Sequence, residues 1–170
     1  MTDEKHILRP VSDNDHAFLV ELHNDPVVLR NLTNPNPITL EQHLEWWSKI
    51  SNDNKQKRMI YEVDKQLVGF TKFYNLDFEN HNCVLGADIH SSFRGKGYAK
   101  YMWQLMLHVC FEDLNFHRVS LTTAEFNFIG QRVYYGLGFK KEGILKQSLC
   151  RDIKYYDQVC MYMLRSEWVL

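Results

Sequence analysis

The stretch CVLGADIHSSFRGKGYAKYMWQLMLHVCFEDL, residues 83–114, decides the fold. Its first part, residues 83–90, is a short run of apolar and small residues that is typical of a buried strand. Its last part has apolar residues at helical spacing, at Tyr101, Met102, Leu105, Met106, Val109 and Cys110. Between the two lie Arg94, Gly95, Lys96 and Gly97. The stretch therefore predicts a strand, a glycine-rich loop and a helix, in that order.

This loop has the features of an anion site. The first amides of a helix have no partner within it, and the helix dipole places partial positive charge there. Glycine permits φ > 0 and lets an anion approach the backbone, while Arg94 and Lys96 add charge. A phosphate or pyrophosphate fits such a site best. The spacing lacks the Lys-Ser/Thr of a Walker loop and the three glycines of a dinucleotide fingerprint.

Composition sets the broad class of the protein. The 170 residues predict a single domain over 1–170, and 45% hydrophobic with 24% charged residues predict a globular one. A net charge of −1 argues against nucleic acid as a partner. No apolar run has membrane length and the N-terminus lacks a signal-peptide pattern, so we expect no membrane association and a cytoplasmic location. The four cysteines indicate reduced, buried thiols, and no metal-ligand spacing is present, so no metal is expected.

The remaining chain predicts alternating elements. Ser12 precedes a helix that fades near Asn24, and residues 31–38 form a loop, after which Thr39 and Gln42 make a capping box. Residues 59–63 and 67–74 predict a hairpin. The predicted order is a strand, two helices, three strands, a helix, a strand, a helix and two strands.

Two motifs give the chain a family resemblance. Arg94-x-x-Gly97-x-Ala99 resembles Q/R-x-x-G-x-G/A, the pyrophosphate-binding signature of the GNAT acetyltransferase superfamily. Downstream, Asn127, Gly130, Tyr134 and Gly138-Phe139 resemble that family's N-x-x-A-x-x-x-Y-x-x-x-G-F segment, with glycine in place of alanine. The C-terminal residues 150–168 resemble the ending of the RimJ/RimL-like branch.

The resemblance implies a fold and a cofactor site. The fold is α+β (mixed α/β), with a mostly antiparallel twisted sheet of about seven strands, splayed between strands four and five, and about four helices. The co-substrate is acetyl-CoA, whose pantetheine arm lies in the gap. The implied cofactor-binding residues are Asp88, Ile89 and His90 on strand four, Arg94, Gly95, Lys96, Gly97, Tyr98 and Ala99 in the loop, and Asn127 and Tyr134.

The implied chemistry is direct attack of a primary amine on the thioester. The amide of Ile89 polarises the thioester carbonyl, and Tyr134 protonates the leaving thiolate as general acid. Taken alone, Tyr134 is a core residue with its hydroxyl at the edge. Many relatives carry a base glutamate on strand four, where this chain has residues 83–85, CVL. Candidate bases are Glu79, His81, Asp88 and His90, and a mechanism without a base side chain stays open.

The acceptor is expected to be a small-molecule amine. Ile38, Thr39, Glu41, His43 and Trp46 resemble a motif of enzymes that acetylate nucleotide-linked amino sugars, which makes His43, Trp46 and Trp47 the substrate-binding candidates. Their alternative role is helix packing. Polyamines rank lower because residues 30–40 contain no acidic cluster. Protein N-terminal amines and a non-catalytic acyl-CoA-binding module are further alternatives. A homodimer is possible, because edge strands and an aromatic tail are exposed.

Overall fold

A computed structural model describes residues 4–169, which contain a seven-stranded sheet and five α-helices. The strands are β1 His6–Pro10, β2 Gln56–Val63, β3 Gln66–Asp77, β4 Asn82–Ile89, β5 Arg118–Ala124, β6 Lys140–Arg151 and β7 Lys154–Leu164. The helices are α1 His16–Asn24, α2 Pro26–Asn31, α3 Leu40–Ile50, α4 Tyr98–His108 and α5 Phe128–Leu137.

The sheet has the order β1-β2-β3-β4-β5-β7-β6 and is antiparallel except between β4 and β5. These two strands are parallel and pair only at Asn82↔Arg118, Cys83↔Val119 and Val84↔Ser120. Beyond Val84 they separate, so that one edge of β4 is without a strand partner. The predicted α+β fold with a sheet splayed between strands four and five is confirmed.

The helices follow their predicted starts, with one addition. Thr39 Oγ1 accepts from the Gln42 amide at 3.2 Å and Gln42 Oε1 from the Thr39 amide at 2.9 Å, so the predicted capping box begins α3. The additional helix is α2, which Asp25 caps and Pro26 begins. Its six residues are too few to show helical periodicity, which is why the sequence pattern did not reveal it. α4 ends in a π-helical turn, Val109–Asp113.

The core divides into two parts, one on each face of the sheet. The larger part lies beneath α4 and α5 and includes Tyr61, Phe73, Met102, Met106 and Phe111. The smaller part lies beneath α1 and α2 and consists of Leu19, Leu22, Val28, Ile60 and Phe70. Because the second cluster covers only part of its face, an open cavity remains beside it.

The cysteines agree only in part with the prediction of buried thiols. Cys83 and Cys110 are buried and unbridged, with their Sγ atoms 3.6 Å apart. Cys150 is exposed and Cys160 half-buried, because both lie on the outer hairpin of β6 and β7. Within residues 4–169, no helix combines the length and apolar character needed to cross a membrane.

Candidate active site

A cavity of about 1150 Å³ lies where β4 and β5 separate. One wall is β4 from Leu85 to Ile89, and the opposite wall is β5 at Leu121, Thr122 and Thr123. The glycine-rich loop lines one end, and α1, α2 and α3 cover the cavity from one face of the sheet. The predicted strand, loop and helix thus meet the second motif in one space.

The glycine-rich loop presents backbone donors to this cavity. Gly95 and Gly97 take φ of 76° and 85°, a region that side chains other than glycine's rarely adopt, and Gly97 is the N-cap of α4. Among the described residues, no hydrogen bond occupies the amides of residues 95–99. These amides and the positive end of α4 are therefore available to an anion.

The cationic and aromatic side chains of the loop contact other parts of the protein. Arg94 Nη2 lies 2.7 Å from Asp25 Oδ1, and Arg94 Nε donates to the Ile89 carbonyl at 3.1 Å. Lys96 lies over the Phe93 ring, with Nζ 5.1 Å from its centroid. The Tyr98 hydroxyl donates to Glu4. The loop can therefore contact an anion mainly through its backbone, and the predicted cofactor roles of these residues stay predictions.

Within the described residues 4–169, Asp88 is the one of the four candidate bases that lines the cavity. Its carboxylate is paired with the Lys72 ammonium. The His90 ring points elsewhere, with Nε2 3.1 Å from Glu21 Oε1 and Nδ1 accepting from the Ser92 amide. Asp88 and His90 therefore do not share the same environment, although they are two residues apart.

Tyr134 lines the cavity and is held by aromatic contacts. Its ring packs edge-on against Trp103 and Phe139, with centroid distances of 4.9 and 6.1 Å. Burial raises the pKa of the Tyr134 phenol, and the nearby Asp88 carboxylate raises it further. The phenol is therefore protonated at neutral pH, as a proton donor must be. Tyr135 is 49% exposed and lies outside the cavity lining.

Asn127 lines the cavity while its side chain caps α5. Its Oδ1 accepts from the Gly130 amide at 3.1 Å, and its Nδ2 donates to Thr123 Oγ1 at 2.9 Å. A Cβ at Gly130 would lie 2.5 Å from Asn127 Nδ2, so an alanine here would require the Asn127 side chain to shift. A cofactor contact by Asn127 stays a prediction.

The three acceptor candidates occupy different places. His43 and Trp46 line the cavity, whereas Trp47 packs edge-on against His16 at 5.4 Å and lies outside the lining. His43 is 4% exposed, and its Nε2 lies 3.0 Å from His16 Nδ1. Burial, followed by the charges of His16 and His23, lowers the pKa of His43 to about 4. His43 is therefore neutral at physiological pH.

Sequence reasoning missed several cavity residues on the central strands, among them Arg58, Lys72 and Tyr74. Arg58 and Lys72 are direct cross-strand partners, and Arg58 lies over the Tyr74 ring with Cζ 5.7 Å from its centroid. The alternation of β2 and β3 placed them on one face. It did not show that this face borders a cavity, because that depends on where α1, α2 and α3 pack.

Comparison with known proteins shows the same family over most of the chain. The sequence profile described as "Acetyltransferase (GNAT) domain" matches residues 5–140. The SPbeta prophage-derived uncharacterized N-acetyltransferase YokL of Bacillus subtilis is 29% identical over 170 residues, covering 99% of this chain and 95% of its own. The Escherichia coli [ribosomal protein uS5]-alanine N-acetyltransferase is 24% identical and covers 99% and 92%.

A solved structure agrees with the fold in detail. The spermidine N-acetyltransferase of Vibrio cholerae, in complex with CoA and spermine, superposes with a TM-score of 0.90 at 25% identity, covering 95% of this chain and 96% of that one. The relatives thus include ribosomal-protein and spermidine enzymes, which agrees with the RimJ/RimL-like resemblance. The comparisons do not support the resemblance to amino-sugar enzymes.

Proposed function

Because the chain belongs to the GNAT N-acetyltransferase family, we propose that it transfers an acetyl group directly from acetyl-CoA to the primary amine of a small molecule. The observation that carries the proposal is the gap between β4 and β5. At one end of it lie the unpaired loop amides, and Tyr134 lies in its wall.

The cofactor fits this gap by its chemistry. The loop amides offer donors to the pyrophosphate, and the unpaired edge of β4 offers main-chain groups to the amides of the pantetheine arm. The protein of Vibrio cholerae was solved with CoA. We assign residues 85–89 and 94–99 to this contact, with the Ile89 amide directed at the thioester carbonyl.

The proposed reaction is a direct transfer of the acetyl group from the sulfur of acetyl-CoA to the amine nitrogen. The neutral amine attacks the thioester carbon, the carbon–sulfur bond breaks, and the acetyl group passes to nitrogen. Tyr134 gives its proton to the departing sulfur and regains one from solvent. The proton lost by the amine passes to Asp88 or to water, because Asp88 is the carboxylate lining the cavity within residues 4–169.

The relatives favour polyamines over nucleotide-linked amino sugars as acceptors, because a spermidine acetyltransferase shares the fold along almost the whole chain. Protein N-terminal amines remain an alternative through the similarity to the uS5 enzyme. A panel of polyamines, amino acids, amino sugars and peptides, assayed by free CoA with a thiol-reactive dye, compares these classes. A binding module would bind acetyl-CoA without releasing CoA in the presence of any acceptor.

The role of Tyr134 is tested by Tyr134→Phe, with Tyr135→Phe as the matched control. Loss of a general acid lowers kcat by about 10²-fold or more. The acetyl-CoA KM should stay within about twofold, because only one hydroxyl is removed and the ring packing against Trp103 remains. Tyr135→Phe should retain wild-type kcat. Equal losses of kcat and acetyl-CoA affinity in Tyr134→Phe would contradict the assignment.

A further inference from the structure

Arg58 on β2 is a half-buried cation whose guanidinium lacks a full set of hydrogen-bond partners. Its Nη2 donates to Gln56 Oε1, but its Nε and Nη1 are buried and have no hydrogen-bond partner among residues 4–169. Gln56 is itself held, since its Nε2 donates to Asp53. Burial lowers the pKa of Arg58, yet a guanidinium stays charged at neutral pH. Buried polar atoms in proteins are nearly always satisfied, and because Arg58 lines the cavity, a group bound there can supply the missing acceptors.

The charges around the cavity do not supply these acceptors. Within residues 4–169, Asp88 is the one carboxylate that lines the cavity, and it is paired with Lys72. Arg94 has its own partner, Asp25, outside the lining. Lys100 also lines the cavity, but it stands in the first turn of α4, next to the glycine-rich loop. Asp53, behind Gln56, acts on Arg58 through its charge, but no carboxylate among residues 4–169 forms an ion pair with the guanidinium.

Its position separates Arg58 from the loop that would hold the phosphates. Arg58 pairs with Lys72 and Lys72 with Gly86, which places the three in one row across β2, β3 and β4. Gly86 is two residues beyond the last β4–β5 pair, at the narrow end of the gap. From there β4 runs about 10 Å to Ile89 before the loop begins. A cofactor with its phosphates at the loop and its thioester at the Ile89 amide would direct its acyl group towards the part of the cavity that this row lines.

We propose that Arg58 binds an oxyanion group of the acceptor, a carboxylate or a phosphate, so that the acceptor is a small amine bearing a negative charge. This inference rests on the proposed acetyl transfer to a small-molecule amine, but it departs from the polyamine acceptors that the relatives favour. A guanidinium binds such oxyanions with charge-assisted hydrogen bonds, and Tyr74 supports its face. A polyamine would instead bring several positive charges to a wall whose single lining carboxylate is already paired.

The first test compares acceptors that differ only in the anion. Suitable pairs are L-ornithine with putrescine, L-phenylalanine with phenethylamine, and O-phosphoethanolamine with ethanolamine, all assayed by CoA release at fixed acetyl-CoA. Loss of a hydrogen bond to a charged group corresponds to about 10- to 100-fold in kcat/KM. We expect at least that preference for the anionic member of a pair. The amino acid and phosphate pairs show which oxyanion is preferred.

The second test removes the guanidinium. Arg58→Gln should reduce the preference to within about threefold, and Arg58→Lys should restore part of it, because the charge returns without the planar donors. Lys49→Gln, at an exposed lysine of α3, is the control and should keep the wild-type preference. Thermal unfolding of each variant checks that the fold is retained. Should Arg58→Gln fail to fold, Arg58→Lys still tests the inference, because its preference for the anionic acceptor should be weaker than that of wild type.

The outcomes separate this inference from the function on which it rests. CoA release with spermidine or spermine in preference to every anionic amine would overturn the inference and leave the acetyltransferase intact. An unchanged preference in Arg58→Gln would also overturn it. No CoA release with any acceptor in the panel would refute the proposed function, and this inference with it.

Discussion

The sharpest prediction concerns His43 and the response of the fold to mild acid. The pKa of His43 falls from 6.5 to about 4 because the ring is buried beside His16, with His23 adding positive charge. In the unfolded chain His43 is protonated below about pH 6.5, whereas in the folded chain it is protonated only below about pH 4. Stability must fall as the pH is lowered through this window.

The magnitude follows from the two pKa values. Each tenfold difference in proton affinity corresponds to about 1.4 kcal/mol, so the full penalty is about 3 kcal/mol. Between pH 7 and pH 5 about 2 kcal/mol of it is lost. Such a loss is a large part of the stability of an ordinary domain. The carboxylates whose pKa values are lowered in the folded protein do not interfere, because they titrate below pH 5.

Urea unfolding of wild type and His43→Gln at pH 7, 6 and 5 measures this effect. Wild type should lose about 2 kcal/mol from pH 7 to pH 5, and the variant should lose much less because its side chain does not titrate. His108→Gln, at an exposed histidine, should keep the wild-type slope. The reasoning would be refuted if His43→Gln showed the same slope as wild type, or if wild type gained stability on acidification.

Two further predictions concern the framework of the site. A Cβ at Gly69 would lie 2.6 Å from the Asp88 carbonyl oxygen, so Gly69→Ala should displace β4 and weaken acetyl-CoA binding. The increase in melting temperature caused by acetyl-CoA should then be smaller than in wild type, and an unchanged increase would show that β4 tolerates the contact. The pKa of Asp15 is lowered to about 2 chiefly by its bond to Arg9, so Asp15→Asn should cost about 2 kcal/mol in urea unfolding at pH 7. This contribution to stability is present above the ordinary pKa of Asp15 and is lost as the pH falls towards 2. The control Asp13→Asn, at an exposed neighbour, should change the free energy of unfolding little. Equal losses in the two variants would contradict the role assigned to the Asp15–Arg9 pair.

The elements around the cofactor gap were predictable because their signals are local. Gly97 takes the left-handed conformation that the spacing indicated, and Thr39 and Gln42 form the capping box that their identities predicted. Tyr134 likewise faces the cavity and Tyr135 faces solvent, as their 100° separation on a helix requires.

The acceptor side was less predictable because it depends on contacts between distant segments. Arg94 is paired with Asp25, which lies 69 residues earlier in the sequence. On sequence alone, this loop cation is expected to be available to the anion. Trp47 packs on His16 rather than in the cavity, although its neighbour Trp46 does line it. No sequence pattern identified Arg58 as a site residue. A single charged residue in a strand is common, and only the packing of α1, α2 and α3 shows that this one borders a cavity.

The separated strands β4 and β5 also bear on how such a protein can change over time. A cleft bordered by main-chain amides and carbonyls keeps its chemistry when most surrounding side chains are replaced. A chain can thus retain such a cleft while sharing only a quarter of its residues with a relative. The acceptor end of the cavity depends instead on individual side chains, of which Arg58 is the one proposed here to select the amine. On that proposal a single codon change would redirect the choice of amine, and specificity would diverge quickly on a framework that hardly alters.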